Sequence, residues 1–323
     1  MRPLTPRAWS LPLSTKVHIR RATNATAPSF NPFSVQSLAV PHLTARTIEY
    51  SIQQNHVNDV HEQLGRHGIL KISLSFPDPE SRYLEQLVSS LHEYCGHQLP
   101  ITHSASRGWF WDVRPESVAF QTANHRARSE TMDEFPWHTD CSYEELPPRY
   151  FALQVLQHDR FGGGTLSAMN IERLNQSLSQ SSQSSLMRQE FGIKIPKEFI
   201  KDPAKQQIVG NLMAIDPESQ SCMMRFRRDL VIPMTKSASD ALEELDACLK
   251  RANATAQAES QSIVHLTPSR LPTGTIIMMD NRRWLHSRNN INDPKRHLRR
   301  LRWDAISFPD SGKTMELRSS GQD

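Results

Sequence analysis

The sequence predicts an α+β protein, mainly β, in which helices pack against the outside of a sheet. Amphipathic helical patterns flank a short apolar strand pattern between residues 56 and 96. Short strands and turns dominate from Trp109 onward. Two further strand patterns, one continuously apolar and one alternating, lie near the C-terminus. No internal repeat and no linker separates these patterns, which favours one domain.

The N-terminal unit is predicted to be a helix, a strand and a second helix. Apolar residues recur at helical spacing from 57 to 64, and Gly65 and Gly68 are expected to end this helix. The apolar run 69–74 follows as a buried strand. Residues 83–96 have the apolar spacing of a second amphipathic helix.

The remaining elements follow in chain order. A strand is predicted over 150–157, and the segment 164–170 is expected to be its hairpin partner across a glycine turn. The Ser/Gln-rich segment 175–185 is low in complexity and is predicted to end in a helix that runs to Phe191. Further predicted elements are strands within 222–234, 274–281 and 298–308 and a helix over 240–253.

Composition excludes several classes of protein. The chain has 323 residues, a hydrophobic fraction of 37% and a mean hydropathy of −0.56, and no apolar run approaches the roughly 20 residues of a membrane helix. A soluble protein without a membrane partner is therefore expected. The net charge of +4 is spread among interspersed acids and bases, so no nucleic-acid partner is expected. The 4 cysteines form no CxxC pair and suggest neither a zinc–thiolate module nor a disulfide framework.

The N-terminus is basic and has no acidic residue before Glu49. We expect residues 1–38 to be a flexible leader and residues 39–323 to be a single domain. An acid-free, Arg-containing leader is typical of mitochondrial transit peptides, but its repeated prolines interrupt any long amphipathic helix. A cytoplasmic protein is therefore the first expectation and a mitochondrial one the alternative.

One stretch, FPWHTDCSYEELPPRY, places His138 and Asp140 two positions apart at a predicted strand end. Side chains at that spacing on a strand point to the same face, so the pair offers two metal ligands. His286, in MMDNRRWLHSRNN, is the candidate third ligand. Two imidazoles and one carboxylate on one face of the metal are the ligand set of non-haem Fe(II) oxygenases. Taken singly, these residues are equally well explained as polar strand ends or core histidines.

The order of the motifs is more specific than any one of them. WHTD, then a double proline with ALQVL and GGGTLSAMN, then MDNRRWLH resemble the taurine dioxygenase / clavaminate synthase-like superfamily of Fe(II)/2-oxoglutarate oxygenases over about residues 134–303. This resemblance implies a double-stranded β-helix, or jelly roll, braced by outer helices. It also implies that His138, Asp140 and His286 bind Fe(II), with 2-oxoglutarate and O2 as co-substrates, and that Thr165 binds 2-oxoglutarate.

Arginines beyond His286 complete the resemblance. The family has an Arg-x-x-x-Arg pattern whose first member binds 2-oxoglutarate and whose second often reaches an anionic substrate group. Arg296 and Arg300 fit this pattern, although Arg299 and Arg302 compete with them. We expect Arg296 to bind 2-oxoglutarate and Arg300 to face the substrate. Relatives place a substrate-contacting side chain at the position of Glu134.

The resemblance implies an Fe(II)- and 2-oxoglutarate-dependent dioxygenase. The expected substrate is an amino acid or another small carboxylate-bearing metabolite, oxidised by hydroxylation, desaturation or cyclisation, within specialised metabolism. Two alternatives remain open at this point. One is a catalytically silent jelly-roll binding protein, and the other is a mononuclear zinc hydrolase. The sequence does not predict the oligomeric state.

Overall fold

The structure, a computed structural model, describes residues 39–102, 108–115, 127–254 and 262–310, without the side chains of 253 and 254. The predicted leader lies outside these residues, so its boundary at residue 38 stays a prediction. The described residues all belong to the unit Gln36–Asp323. No helix in these ranges is both long and apolar enough to cross a bilayer.

Strands outnumber helices among the described residues. The strands are β1 (His42–Ala45), β2 (Ile69–Leu74), β3 (Trp111–Val113), β4 (Phe135–His138), β5 (Pro148–Gln157), β6 (Leu166–Asn170), β7 (Phe191–Lys194), β8 (Gln207–Gly210), β9 (Met213–Ile215), β10 (Cys222–Met224), β11 (Val231–Pro233), β12 (Ile263–Leu266), β13 (Thr275–Asp280), β14 (Trp284–Arg288) and β15 (His297–Ala305). The helices are α1 (Gln54–His67), α2 (Arg82–Cys95), α3 (Ile171–Gln176), α4 (Gln180–Leu186) and α5 (Lys236–Ala254).

Two sheets face each other across a shared apolar layer. The larger has 6 strands in the order β1-β2-β13-β5-β15-β3, and the smaller has 4 in the order β12-β6-β14-β4. All their pairings are antiparallel except that of β1 with β2. Inward side chains of β5, β13 and β15 form one buried cluster with side chains of β6 and β12. Two facing sheets with this packing are the core of a jelly roll.

Helices α1 and α2 cover the other face of the larger sheet. Ile276 and Met278 of β13 pack with the apolar faces of both helices, whereas Ile277 and Met279 pack toward the smaller sheet. Strand β13 is apolar at almost every position because it is buried on both faces. The predicted arrangement of helices outside a sheet is therefore what the structure shows.

The predicted hairpin of 150–157 with 164–170 is wrong. Strand β6 pairs with β12 and β14 in the smaller sheet and has no pairing with β5. The glycines at 162–164 therefore carry the chain from one sheet to the other. A turn signal between two strand patterns does not distinguish a hairpin from such a crossover, because both need a sharp change of direction.

Two helix ends also differ from the prediction. Helix α1 continues through Gly65 and ends at Gly68, which has a left-handed φ of 67°. A Cβ at Gly68 would lie 2.8 Å from the Nε1 atom of Trp284, so packing as well as φ requires glycine there. The Ser/Gln-rich segment begins at the end of the short helix α3 and forms most of α4, which ends at Leu186, and the chain is already in strand β7 at Phe191.

Candidate metal centre

Strand pairing brings the two candidate histidine ligands together. His138 is the last residue of β4, and His286 lies opposite it in the antiparallel pair of β4 with β14. The centroids of their imidazole rings are 4.2 Å apart. Residues directly opposite on neighbouring strands point to the same face of a sheet. The smaller sheet thus joins two positions that are far apart along the chain.

Asp140 reaches the same point from a turn and not from a strand. Strand β4 ends at His138, so strand alternation does not place the carboxylate as the sequence suggested. The Oδ1 atom of Asp140 is nevertheless 3.9 Å from the Nε2 atoms of both His138 and His286. One ligand atom from each of the three residues lies within 4.8 Å of the other two. That spacing suits three ligands around one small ion.

The three groups carry the protonation states that a divalent cation requires. The Nδ1 atom of His138 is 2.8 Å from the Pro136 carbonyl, so Nδ1–H donates and Nε2 keeps its lone pair. Burial, reinforced by His286, holds the pKa of His138 well below its ordinary value. Burial lowers the pKa of His286 to about 4. Two neutral imidazoles therefore face the carboxylate at pH 7.

Arg300 keeps Asp140 ionised. Burial opposes ionisation of this carboxyl, but the neighbouring guanidinium groups, Arg300 first and then Arg302, outweigh burial and hold the Asp140 pKa below its ordinary value. The Nη1 atom of Arg300 donates to both carboxylate oxygens at 3.0 Å. The donor set thus fits Fe(II), which takes imidazole and carboxylate ligands.

Two arginines lie on the inward face of β15, and a third directly precedes the strand. Arg302 is buried and Arg300 is mostly buried on this face, beside Leu298, and Arg296, the residue before β15, is buried as well. Arg302 donates from Nη1 to the Sγ atom of Cys141, the residue after Asp140. Arg300 is bonded to Asp140 and lies with its guanidinium 5.7 Å from the ring centroid of Trp111. Two of the three arginines therefore contact the turn that holds the carboxylate.

Among the described residues, no carboxylate is bonded to the buried guanidinium of Arg296. The side chain is 5% exposed, and its Nη1 atom has no hydrogen-bond partner. Burial, with a contribution from Arg288, lowers the Arg296 pKa to about 9. Asp159 is nearby, but its carboxylate accepts hydrogen bonds from the backbone N–H groups of Phe161, Asn292 and Asp293. A buried guanidinium in this state fits a bound carboxylate.

Thr165 lies beside the same arginine. A Cβ at Gly164 would lie 2.7 Å from the Nε atom of Arg296, and Thr165 follows directly. The Thr165 backbone N–H donates to the Asn289 side chain at 2.7 Å. Arg296 also lines a narrow pocket whose other walls are mainly apolar side chains of both sheets. The backbone next to Thr165 therefore contacts Arg296, but no described contact joins the Thr165 side chain to Arg296, and Thr165 does not line this cavity. Their shared binding of 2-oxoglutarate stays a prediction.

Glu134 is not brought to the His–Asp–His cluster by any described contact. It is exposed in the segment before β4, and its carbonyl accepts a hydrogen bond from the Nε atom of Arg128 at 3.3 Å. No described contact relates its carboxylate to Asp140 or to Arg300. Its contact with a substrate stays a prediction.

A small open cleft is lined by two of the candidate ligands, His138 and Asp140. Phe135 forms one wall, and its ring stacks on the imidazole of His138 with centroids 3.6 Å apart. Phe199 stacks on Tyr143 at 5.3 Å in another wall. The charged lining residues besides the ligands are Arg128, Glu198, Arg227, Arg300 and Arg302. Apart from the ligands, the cleft is therefore rich in cations and contains one acid.

Sequence reasoning missed two residues of this centre. Phe135, next to the predicted strand end, was given no role, although an aromatic residue three positions before a ligand is a usable signal. Asn281 hydrogen-bonds to the backbone of Asp140. It stands in the MDNRRWLH motif, but no local pattern relates it to a residue 141 positions away.

The fold resembles several solved structures. Asparagine oxygenase in complex with Fe(II), 2S,3S-3-hydroxyasparagine and succinate superposes with a TM-score of 0.60 at 16% identity, covering 82% of this chain and 93% of that one. Non-heme iron oxygenase OrfP in complex with Fe, succinate and (3S)-hydroxy-L-Arg has a TM-score of 0.56 at 14% identity, with coverages of 85% and 88%. A taurine dioxygenase from Burkholderia xenovorans has a TM-score of 0.57 at 15% identity, with coverages of 85% and 93%.

These likenesses confirm the predicted double-stranded β-helix. Comparison with curated proteins gave no match. The family model "Taurine catabolism dioxygenase TauD, TfdA family" matches residues 41–302, which is well over half of the chain. The match confirms the predicted enzyme class, a dioxygenase, and the Fe(II), 2-oxoglutarate and O2 chemistry that the resemblance implied. The chain belongs to the TauD/TfdA dioxygenase family.

Proposed function

We propose that this dioxygenase binds Fe(II) through His138, Asp140 and His286, binds 2-oxoglutarate through Arg296 and Thr165, and hydroxylates an amino acid. One observation supports the proposal most strongly. A buried His–Asp–His cluster and a buried arginine without a bonded counter-charge lie in the same jelly roll. Each feature alone has a structural explanation, but together they match the requirements of one metal and one dicarboxylate.

Each residue has a distinct role in this proposal. The bound metal supplies O2 activation coupled to the oxidative decarboxylation of 2-oxoglutarate. Arg296 binds the distal carboxylate of 2-oxoglutarate, and the hydroxyl of Thr165 donates to the same co-substrate. Arg300 keeps Asp140 ionised and oriented. The apolar walls around Arg296 exclude water, which strengthens the ion pair that the co-substrate forms.

The role of Arg300 differs in emphasis from the sequence-based expectation. Its Nη1 atom is engaged by Asp140, so this guanidinium belongs first to the metal centre. Its Nε atom has no hydrogen-bond partner, and the residue lines the cleft. A contact between Arg300 and the substrate therefore remains a proposal and not a finding.

The amino-acid substrate is supported by the cleft and by the fold relatives. Arg128 offers a cation for a carboxylate, and Glu198 offers a carboxylate for an ammonium group. Arg227 lines the same cleft but is paired with Asp229 at 3.0 Å. Asparagine oxygenase was solved with a hydroxylated asparagine, and OrfP with a hydroxylated arginine. Those ligands describe the relatives and motivate the choice of hydroxylation over desaturation or cyclisation here.

The test is succinate formation from 2-oxoglutarate by metal-free protein reloaded with Fe(II) in air. A panel of the standard amino acids is added one at a time, and products are identified by the gain of one oxygen atom in mass spectra. We expect at least one amino acid to stimulate succinate release and to be hydroxylated. His138→Ala should abolish both signals, whereas turnover that persists in this variant would remove His138 from the ligand set.

The same assay separates the alternatives. A silent binding protein would bind 2-oxoglutarate or an amino acid without forming succinate. A zinc hydrolase would act without air and without 2-oxoglutarate when loaded with Zn(II). Either result would overturn the proposed reaction.

A further inference from the structure

We infer that Asn281 is a positioning residue that holds the Asp140 carboxylate ready for the metal; this inference rests on the proposed metal site. Asn281 is 1% exposed and does not belong to the His–Asp–His cluster. Its side chain contacts the backbone of Asp140, not the carboxylate. Its effect on metal binding would therefore be indirect.

The side-chain amide of Asn281 uses its oxygen and both of its N–H groups. Its Oδ1 atom accepts the Asp140 backbone N–H at 2.7 Å. Its Nδ2 atom donates to the Asp140 carbonyl at 2.9 Å and to the Pro148 carbonyl at 3.0 Å. The amide orientation is unambiguous, because a backbone N–H must face the oxygen and the two carbonyls must face the nitrogen.

The turn at Asp140 needs these bonds because no strand supplies them. Strand β4 ends at His138, and the next residue, Thr139, is bonded through its backbone N–H to the Phe226 carbonyl. Cys141 has a φ of 55°, a left-handed conformation that is unfavourable for a residue with a Cβ. Without Asn281, the buried N–H and C=O of Asp140 would lose the partners that buried backbone groups require.

Asn281 also connects the two halves of the cluster. It lies at the turn between β13 and β14, and β14 carries His286. The Oδ1 atom of Asp280 accepts the backbone N–H of Arg282 at 3.0 Å, which stabilises that turn. Arg282 in turn donates to the Pro147 carbonyl at 3.1 Å. One turn thus holds both ends of the loop that contains Asp140, in a fixed relation to His286.

This geometry gives Asn281 a role that is separable from general stability. The carboxylate is oriented at its oxygens by Arg300 and at its backbone by Asn281. If the hydrogen bonds between Asn281 and the Asp140 backbone are lost, the chain can still fold. The carboxylate can then occupy positions that are too far from the two imidazoles to share one metal ion with them. Metal affinity should then fall by more than a comparable loss of buried hydrogen bonds elsewhere would explain. Loss of an outer-sphere partner typically costs about 10- to 100-fold in metal affinity.

Asn211 provides a matched control. It is also 1% exposed, and its Nδ2 atom donates to the Met213 carbonyl at 2.7 Å and to the Pro309 carbonyl at 3.0 Å. Asn211→Ala therefore removes two hydrogen bonds to carbonyls, whereas Asn281→Ala removes two such bonds and the one from the Asp140 N–H, so the urea-unfolding measurements correct for the difference in stability. The side chain of Asn211 has no described hydrogen bond to the three candidate ligands. The comparison between the two variants isolates the effect on the metal centre.

The experiment measures Co(II) affinity of the full chain by calorimetric titration, with urea unfolding of the metal-free proteins in parallel. We expect Asn281→Ala to weaken Co(II) binding about 10- to 100-fold. Asn211→Ala should change it by less than about twofold, although both variants lose stability. Equal weakening in the two variants, or wild-type affinity in Asn281→Ala, would overturn the inference.

A second variant covers the case in which Asn281→Ala does not fold. Asn281→Ser is uncharged and keeps a polar group that can bond one neighbour, but it cannot replace all three hydrogen bonds, so we expect folded protein with weakened Co(II) binding. Wild-type affinity in Asn281→Ser would again overturn the inference. If the wild-type protein itself binds no Co(II), the proposed metal site fails, which is a different outcome from a wild-type site that does not depend on Asn281.

Discussion

The positively charged side chains on the two faces of strand β15 differ in their bonding partners and in their burial. On the outward face, His297 and Arg299 share one acceptor, the Oδ1 atom of Asp112, at 3.0 Å each. On the inward face, Arg300 is bonded to Asp140, whereas Arg296, the residue directly before β15, has an Nη1 atom with no hydrogen-bond partner in the part of the chain that the structure describes. The outward charges are only partly buried, and the inward ones are buried more completely.

The difference distinguishes structural cations from cations that serve a ligand. The outward pairs have their partner within the protein and stabilise the contact of β15 with β3. Burying a guanidinium without a counter-charge costs free energy, so folding alone does not explain Arg296. A dicarboxylate co-substrate would provide the missing counter-charge. Arg300 stands between these cases, because its partner is itself a candidate metal ligand.

The largest effect on stability is expected from removing the ion pair between Arg300 and Asp140. Arg300→Met leaves the Asp140 carboxylate buried and unpaired, and it should lower the free energy of unfolding of the metal-free protein by about 3–5 kcal/mol. Urea unfolding at pH 7 measures this. Adding Asp140→Asn to Arg300→Met should recover much of the loss, because the unpaired charge is then gone. A loss below about 1 kcal/mol for Arg300→Met would contradict the burial of this pair.

Arg296→Met should impair the use of 2-oxoglutarate and not stability, in contrast to the loss of stability expected for Arg300→Met. Stability should hold or rise, since no bonded partner is abandoned and a buried charge is replaced by an apolar side chain. The 2-oxoglutarate concentration for half-maximal succinate formation should rise about 10- to 100-fold, the value of losing hydrogen bonds to a charged group. Kinetics at several 2-oxoglutarate concentrations measure it. A larger rise for Arg300→Met than for Arg296→Met would exchange the two assignments.

At the outward face we expect a smaller effect on stability, and one that depends on pH. Burial opposes ionisation of Asp112, but hydrogen bonds from His297 and Arg299 outweigh burial and hold its pKa below the ordinary value. A lowered carboxyl pKa stabilises the fold above the unfolded-state pKa of about 4, and this contribution is lost as the pH falls below it. Asp112→Asn should therefore cost about 1 kcal/mol at pH 7 and progressively less below about pH 4. A pH-independent difference in urea unfolding would show that charge is not the cause.

The smallest effect on stability is expected at Glu134, whose side chain is exposed. Glu134 is exposed, so Glu134→Gln should change the free energy of unfolding by less than about 0.5 kcal/mol and leave the 2-oxoglutarate requirement unaltered. Binding of the stimulating amino acid is the informative measurement. A rise of its KM by about tenfold or more, equal to about 1.4 kcal/mol, would establish the substrate contact that the resemblance implied.

Prediction from sequence succeeded where the signal was local and strong. The apolar run of β2, the helical face of α2 and the alternation in β15 agree with the structure, because burial alone decides these patterns. Prediction from sequence failed to identify the strands that pair with β5, because strand pairing depends on residues that are distant along the chain. For the candidate site, the motif order identified the three residues that the structure places together, but it did not identify Asn281.

The sequence by itself determined which chemical groups are available for the candidate site. These groups are an imidazole and a carboxylate two positions apart, a second imidazole that follows an apolar strand, and several arginines near the C-terminus. Only the tertiary structure decided that His286 lies opposite His138, that Asp140 is held from a turn, and which arginine is left without a bonded partner. The physical reason is that strand register and charge pairing are set by contacts between residues more than one hundred positions apart. Local spacing carries no information about them.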